Sequence, residues 1–224
     1  MSTKQVVIFV APPGAGKGTQ SDILAEKFGF FHLETAKIIE KKFAKADPSD
    51  ADINTEKQNF LTGKLVSPEK VTTWVIEKIR ELAAQKISIV FSGSFRTIYE
   101  AKQEIIVAEE LYSKDNIKIF YITLSEEESV RRNSSRRICT ANRHPIPNLP
   151  ELQNITACPQ DGSALIKRKL DTPDIIRKRY QEYMDRTLPV LDFFKKHNYS
   201  VIEIIGEQSI ESVTHDIHQN FKGN

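Results

Sequence analysis

Residues 5–20, QVVIFVAPPGAGKGTQ, constrain the fold of this chain more than any other segment. The unbroken apolar run from Val6 to Val10 predicts a β-strand that is covered on both faces. The glycines that follow allow a tight turn in which several backbone N–H groups point toward one centre. Together with the positive end of the next helix, these N–H groups form a binding site for phosphate. The segment therefore predicts a strand, a phosphate-binding loop and a helix.

Two side chains at the start of the predicted helix add chemistry to the loop. Lys17 is placed to reach the outer phosphates of a nucleotide, and the Thr19 hydroxyl is placed to meet magnesium. The match to the general phosphate-loop pattern is incomplete, because Ala11 replaces its first glycine and Gly18 replaces the usual serine or threonine after the lysine. A glycine-rich turn with only a structural role is the alternative. The preceding strand, the lysine and the threonine favour phosphate binding.

The composition argues against several classes of protein. The 224 residues include 32 Lys and Arg and 30 Asp and Glu, and the formal net charge of +2 does not indicate a nucleic-acid binder. No apolar run approaches the ~20 residues of a membrane span, and the first residues lack a signal-peptide pattern. Cys139 and Cys158 are too few for a disulfide framework. We therefore expect a cytoplasmic protein with no membrane or nucleic-acid partner.

Strand and helix patterns alternate along the chain. Further strands are predicted over 30–33, 88–91, 117–124 and 200–205, with helices between them. This alternation predicts an α/β fold with a parallel sheet and helices on both faces. The four prolines of residues 139–167, with both cysteines and no helical period, predict an inserted flap.

Several local features are also predicted from turn and cap residues. A turn-rich loop is expected over 46–55, and a short helix over 56–61 that Gly63 ends. Ser67 is expected to cap the next helix, with Pro68 at its first position. A long helix is expected over 173–197, with a bend at Pro189.

The chain resembles the adenylate kinase family over nearly its whole length, on six segments that occur in the family's order. They are PPGAGKGTQ at 12–20, GKLVS at 63–67, SGSFRT at 92–97, RRIC at 136–139, CPQDGSALIKR at 158–168 and RKRYQEY at 177–183. The resemblance implies a monomeric P-loop kinase with a three-layer fold, a five-stranded parallel sheet and two mobile inserts. It implies transfer of the γ-phosphoryl group of MgATP to AMP, giving two ADP.

The resemblance also divides the chain into a core and two inserts. The core consists of 1–34, 67–137 and 168–224. The insert at 35–66 is expected to close over the nucleoside monophosphate, and the insert at 138–167 to close as a lid over ATP.

The family's functional residues carry over position by position. Transfer of a phosphoryl group needs positive charge and exclusion of water, and planar guanidinium groups suit phosphate oxygens. The residues expected to act in catalysis are Lys17, Arg96, Arg132, Arg136, Arg168 and Arg179. Those expected to bind ATP are Gly14, Ala15, Gly16, Lys17, Gly18, Thr19, Arg132, Arg136 and Gln208. Those expected to bind AMP are Thr35, Lys64, Leu65, Val66, Gly93, Arg96, Glu100, Arg168 and Arg179.

Other charged residues near these positions have less definite roles. Asp171 matches an acidic residue near the lid hinge of the family. Arg131 and Arg137 fit a solvated helix face as well as they fit the site.

Some acceptor-side positions depart from the family pattern. Glu40 stands where the family has an arginine for the AMP phosphate, and Lys37, one helical turn earlier, could take over that role. Ser92 replaces an aspartate that orders water around magnesium. Ser94 and Phe95 replace the Phe-Pro of the same turn. These changes motivate an alternative, a nucleotide-binding module that transfers nothing, although retention of the arginines argues against it.

Glu100 replaces the glutamine that reads adenine in the family. Glutamine can donate to adenine N1 and accept from N6, whereas an ionised glutamate can only accept hydrogen bonds. Guanine offers two adjacent donors and suits a carboxylate better. AMP is the preferred acceptor on the overall resemblance, and GMP or a broader set of monophosphates is the alternative. A second alternative makes Glu100 a surface helix residue, with neighbouring groups reading the base.

The flap resembles the metal-binding lid of some adenylate kinases. Cys158 and Asp161 fit the second ligand pair of that lid, and Cys139 fits the start of the first pair. Asn142 occupies the position of the other cysteine, and His144 could supply the fourth ligand. Because zinc accepts S, N and O ligands, Cys139, His144, Cys158 and Asp161 form a candidate structural zinc site. The alternative is a lid held by hydrogen bonds around two small buried cysteines.

Overall fold

The computed structural model describes residues 4–62, 64–168 and 170–222. Its strands are β1 (Val6–Val10), β2 (Phe31–Leu33), β3 (Ile89–Phe91), β4 (Ile117–Thr123), β5 (Arg137–Cys139), β6 (Pro145–Ile146), β7 (Leu165–Ile166) and β8 (Val201–Ile205). Its helices are α1 (Lys17–Phe28), α2 (Thr35–Lys45), α3 (Ala51–Leu61), α4 (Pro68–Ala84), α5 (Ile98–Tyr112), α6 (Glu126–Ser135), α7 (Pro173–Glu182), α8 (Pro189–Lys196) and α9 (Ile210–Lys222).

Five of the strands form one parallel sheet in the order β2-β3-β1-β4-β8. All five residues of β1 are buried, as its apolar run predicts. Because side chains alternate along a strand, Ile8 joins the core under α4, α5 and α8, whereas Phe9 joins the core under α1 and α9. The α/β fold with helices on both faces is confirmed.

The sheet also fixes where a ligand can bind. Parallel strands end at the same edge, so the segments after β1, β3 and β4 converge there, and ligands of such sheets bind at this edge. The phosphate-loop segment follows β1, and SGSFRT follows β3. The fold therefore brings the two segments together, although 78 residues lie between β1 and β3 in sequence.

The flap has a small antiparallel sheet of its own, in the order β6-β5-β7. Its apolar centre consists of Cys139, Ile146 and Cys158, with three half-buried apolar side chains around them. A core of this size stabilises little by itself.

The expected loop over 46–55 is confirmed only for 46–50, because α3 begins at Ala51. Asp50 is its N-cap, and its carboxylate accepts from the backbone N–H groups of Asp52 and Ile53 at 3.0 Å each. An aspartate in a polar segment indicates a turn or a helix start equally well. Gly63, expected to end this helix, lies outside the described residues.

Two further expectations are partly met. Ser67 occupies the N-cap of α4 with Pro68 at the first position, but its hydroxyl donates to Glu69 Oε2 at 2.7 Å and caps no backbone N–H. The long helix over 173–197 is interrupted at Tyr183–Thr187, where the Leu188 N–H bonds to the Tyr183 carbonyl at 2.9 Å in a π-helical turn. The interruption lies just before Pro189, which has no N–H to continue the α-helical pattern. Among the described helices, none is both long and apolar enough to cross a membrane.

Candidate active site

The loop after β1 has the backbone shape of a phosphate cradle. Gly14 and Gly16 have φ angles of 81° and 92°, which side-chain-bearing residues rarely adopt. A Cβ on Gly14 would lie 2.4 Å from Asn133 Nδ2, so this position also needs glycine for space. In contrast, a Cβ on Gly16 or Gly18 would meet no atom within 4 Å. The open space above the loop is where an anion fits, beside the N-terminus of α1.

Lys17 stands at the start of α1 and faces this space. Its ammonium group donates to the carbonyls of Ala11 at 2.6 Å and Pro12 at 2.9 Å. Burial and the nearby Arg96 and Arg179 lower its pKa to about 7. A lysine that other cations make less basic indicates a site built for a negative ligand.

Three arginines around Lys17 also have lowered pKa values. Burial lowers the pKa of Arg96, and burial with the charge of Arg143 lowers that of Arg168 to about 10. Burial and the charge of Arg168 lower the pKa of Arg179 to about 9. Arg179 Nη1 is buried and makes no hydrogen bond with any described residue. These cations repel one another, and an anion of several charges would relieve the repulsion.

Asp171 is the acidic side chain that partly compensates this charge. It is 7% exposed and accepts from Arg136 Nε at 2.7 Å and from Arg136 Nη2 at 3.1 Å. Arg179 Nη1 lies 3.5 Å from Asp171 Oδ1. The two-pronged contact fixes the plane of the Arg136 guanidinium group. The structure thus brings together five of the six residues expected in catalysis, namely Lys17, Arg96, Arg136, Arg168 and Arg179.

The Arg132 side chain does not join these five residues. It donates to Glu128 Oε1 at 2.6 Å and to the Gly206 carbonyl at 2.9 Å, so it connects α6 to the turn after β8. Gln208, expected to bind ATP, follows in the same turn and donates to Asp216 at 2.7 Å. In this structure, Arg132 and Gln208 therefore both hydrogen-bond to other residues of the chain.

The two undecided arginines also have protein partners. Arg131 is exposed and pairs with Glu128, which matches the solvated-face interpretation. Arg137 instead donates to three flap carbonyls, those of Leu152, Gln153 and Ile155. Arg137 therefore stabilises the flap.

Two adjoining clefts open at the carboxyl edge of the sheet. The first contains Lys17, Arg96 and Arg179. The second is lined by Thr35, Ala36, Ile39, Phe60, Lys64, Leu65, Val66, Val71, Gly93, Arg96 and Glu100. All residues expected to bind AMP, except Arg168 and Arg179, line this second cleft. The apolar residues Ala36, Ile39, Phe60 and Val71 were not predicted; the helical spacing of Ile39 on α2 was the available signal.

Glu100 is a buried residue, so its interpretation as a surface helix residue is wrong. Its Oε2 accepts from the Arg96 N–H at 2.8 Å, its Oε1 accepts from the Thr97 hydroxyl at 3.2 Å, and Thr97 caps α5 in return. One turn further on, Glu104 is fully buried, and burial with the charge of Glu100 raises its pKa well above the usual value. Burial also raises the pKa of Glu100.

The charges around Glu40 differ from the expectation. Lys37, suggested as a substitute cation, is half exposed and pairs with Glu34. Glu40 itself pairs with Arg143, which lies in the turn between β5 and β6 of the flap. Glu40 therefore binds a cation from the flap and does not stand unpaired beside the phosphate site. The contact connects the two inserts.

Ser92 lies at the end of a hydrogen-bonded chain that the sequence did not predict. Its hydroxyl is 2.6 Å from His32 Nε2, and His32 Nδ1 is 2.7 Å from Asp22 Oδ1. The next serine in the segment, Ser94, is buried and bonds to the Thr35 hydroxyl at 2.8 Å. Phe95 is fully buried at a φ of 58° and packs on Phe91. The loop after β3 is thus held by contacts of residues that differ from the family pattern, namely Ser92, Ser94 and Phe95.

The four candidate zinc ligands come together in the flap. Their ligand atoms all lie within 4.8 Å of one another. Cys139 Sγ is 3.2 Å from Asp161 Oδ2, and His144 Nδ1 is 3.4 Å from Cys158 Sγ. Bond lengths of zinc imply separations of roughly 3.3–3.8 Å between ligand atoms in a tetrahedral site. The donor set is one that zinc accepts, and the two separations given lie at or close to this range.

Comparison with known proteins identifies the family. The family model described as adenylate kinase matches residues 9–199. The adenylate kinase of Petrotoga mobilis is 34% identical over 213 residues, covering 94% of each chain. That of Pyrococcus furiosus is 31% identical over 214 residues, covering 92% of this chain and 91% of its own. That of Staphylococcus epidermidis is 30% identical over 216 residues, covering 94% and 96%. With the phosphate cradle and its buried cations at the sheet edge, these matches mean that the chain belongs to the adenylate kinase family.

Proposed function

We propose that this protein is an adenylate kinase that transfers the γ-phosphoryl group of MgATP to AMP and gives two ADP. The observation that carries the proposal is the group of mutually repelling cations around Lys17 in the first cleft, since one of them, Arg96, also lines the second cleft. The named activity of the relatives supports it. Transfer between two nucleotides needs two adjoining anion sites with a shared cationic centre.

The residues divide the work of transfer among them. Lys17 and the loop N–H groups hold the outer phosphates of ATP, and the Thr19 hydroxyl is available to its magnesium. Arg96 holds the phosphate of AMP in the second cleft. Arg136, Arg168 and Arg179 stabilise the charge of the phosphoryl group in transit, and Asp171 keeps Arg136 oriented. Arg132 and Gln208 remain candidates for ATP binding through a change of partner.

Two moving inserts complete the mechanism. The insert at 35–66 closes over AMP, the lid at 138–167 closes over ATP, and the core consists of 1–34, 67–137 and 168–224. Closure excludes water from the transferred group, and reopening limits turnover. The protein acts as a monomer, and its two free cysteines agree with a reducing compartment such as the cytoplasm.

AMP is favoured over GMP by the surroundings of Glu100. Both of its carboxyl oxygens are engaged with Arg96 and Thr97, so they are poorly placed to accept the two donors of guanine.

ADP formation with AMP, GMP, CMP and UMP at equal concentration tests the function. We expect AMP to be the fastest acceptor, and faster turnover with GMP would contradict the choice of base. A titration with a bisubstrate dinucleotide tests the alternative of a non-catalytic module. A kinase should bind this compound much more tightly than ATP, whereas equal affinity with no transfer to any monophosphate would leave only nucleotide binding.

We also propose that Cys139, His144, Cys158 and Asp161 hold a structural zinc ion that stabilises the flap. Protein purified without chelator should contain about one zinc per chain. Removal of the metal should lower the melting temperature by at least a few degrees, because the flap has almost no core of its own. Cys158→Ser should lose the metal, whereas Asn142→Ala, which removes a neighbour of Asp161 that is not a ligand, should keep it. Wild-type protein with far less than one equivalent of metal would leave the hydrogen-bonded lid as the explanation.

A further inference from the structure

Three polar side chains from three different elements form one hydrogen-bonded chain beside the phosphate loop. Asp22 is on α1, His32 is on β2, and Ser92 follows β3 directly. The two hydrogen bonds are short, at 2.7 Å and 2.6 Å, and the His32 side chain is only 9% exposed. The residues are 10 and 60 positions apart in sequence, so only the fold brings them together. Nothing in the proposed transfer step uses them so far.

The tautomer in which His32 is neutral and donates from Nδ1 to Asp22 sets the direction of both hydrogen bonds. An ionised Asp22 can only accept, so His32 must donate its Nδ1–H to Asp22. In the neutral imidazole, Nε2 is then the acceptor, and the Ser92 hydroxyl must donate to it. The hydrogen of Ser92 is thereby used, and the lone pairs of its oxygen remain for another partner. A serine without this chain could rotate and either donate or accept.

The position of Ser92 indicates what that partner is. Ser92 ends the strand next to β1, and the following residue, Gly93, lines both clefts. Asp22 lies one helical turn after Thr19 on α1, so the chain runs along the helix face that begins at the phosphate loop. In phosphate-loop proteins, magnesium is held between the loop hydroxyl and a carboxylate on a neighbouring strand. Here the residue at the strand end is a serine.

We propose that Asp22 and His32 orient Ser92 as a hydrogen-bond acceptor for the water molecules around the magnesium of MgATP. The inference rests on the proposed function. In this arrangement Ser92 contacts the substrate's water shell, and Asp22 and His32 are positioning residues that act through it. We call Asp22, His32 and Ser92 the relay. It lets the neutral Ser92 hydroxyl accept hydrogen bonds from the water around magnesium as a carboxylate would, because both groups then present only lone pairs.

The test is a double-mutant cycle read out by metal binding. Mn²⁺ is titrated into protein saturated with a non-hydrolysable imido analogue of ATP, and bound metal is measured by electron paramagnetic resonance. We expect Asp22→Asn to weaken Mn²⁺ binding about three- to tenfold, because the charge that fixes the His32 tautomer is lost. In the Ser92→Ala background, the same change should alter binding less than about twofold. When Ser92→Asp is added to Asp22→Asn, Mn²⁺ binding should return to the wild-type level, because the new carboxylate accepts hydrogen bonds without the help of Asp22.

Controls separate the relay from general damage. Glu26→Gln changes an exposed carboxylate one turn further along α1 and should leave Mn²⁺ binding unchanged. If Asp22→Asn does not fold, His32→Asn replaces it in the cycle. The relay would be overturned if Asp22→Asn weakened Mn²⁺ binding equally in the wild-type and Ser92→Ala backgrounds. It would also be overturned if Asp22→Asn weakened Mn²⁺ binding in neither background. Failure of the wild-type protein to phosphorylate AMP would instead overturn the proposed function, because the Mn²⁺ measurement does not depend on transfer.

Discussion

Replacing Lys17 by methionine is expected to lower kcat about a thousandfold or more. The ammonium group is the cation at the centre of the arginine group, and methionine keeps an unbranched apolar stem one atom shorter but carries no charge. Loss of a preorganised charge at the transferred phosphate removes several kcal/mol of transition-state stabilisation, roughly 4 or more. ADP formation at saturating MgATP and AMP measures the effect.

The same substitution should stabilise the ligand-free protein. The pKa of Lys17 is about 7 in the folded state and higher when unfolded, so between these values the unfolded chain binds more protons. The Lys17 contribution therefore makes stability rise with pH above about 7, and Lys17→Met should remove this rise. At pH 7 the melting temperature should increase by about 2–4 °C, which corresponds to about 1 kcal/mol for a chain of this length.

A matched control is Lys178→Met, at an exposed position on α7. It should change neither turnover nor melting temperature. Near-wild-type turnover in Lys17→Met would contradict the mechanism assigned to the cation group. Loss of turnover together with a lower melting temperature would mean that the variant is damaged, and then its kinetics must be repeated with Lys17→Gln.

The sequence predicts this site well where one residue type in one segment determines the outcome. The phosphate loop is such a case, because its glycines permit the positive φ angles of Gly14 and Gly16 whatever surrounds them. The five sheet strands are another, since an apolar run between helices leaves few arrangements. Seven of the nine residues that the resemblance assigns to AMP line the second cleft, Thr35 and Glu100 among them.

The sequence could not predict the partners that only tertiary structure brings together. Glu40 looks like an uncompensated charge until Arg143, 103 residues later, is placed beside it. Ser92 looks like a lost carboxylate until His32 and Asp22 are seen behind it. Arg132 is the converse case, because the resemblance assigns it to ATP, whereas its guanidinium group contacts Glu128 in this structure. In each case a polar side chain has several possible hydrogen-bond partners within its reach, and the sequence alone does not say which of them it contacts.

Arg179→Met is expected to lower kcat about a hundredfold or more, which makes it the second largest effect. Arg179 Nη1 is buried without a hydrogen-bond partner among the described residues, although Asp171 lies 3.5 Å away. A buried guanidinium with a free donor is destabilising in the ligand-free protein and is satisfied when phosphate arrives. An effect on kcat further requires that this interaction be stronger in the transition state than in the bound ground state, and kcat at saturating substrates reports that difference.

The neighbouring Arg177 provides the control for this prediction. It is on the same helix, its side chain is 56% exposed, and it pairs with Asp174 across a turn. Arg177→Met should retain full turnover, whereas Arg179→Lys should recover only part of it, because an ammonium group cannot present two parallel donors to phosphate. If Arg179→Met raises the KM for both nucleotides and leaves kcat unchanged, then Arg179 binds substrates equally in ground and transition states. In that case the stabilisation of the transferred phosphoryl group must be assigned to Lys17, Arg136 and Arg168 alone.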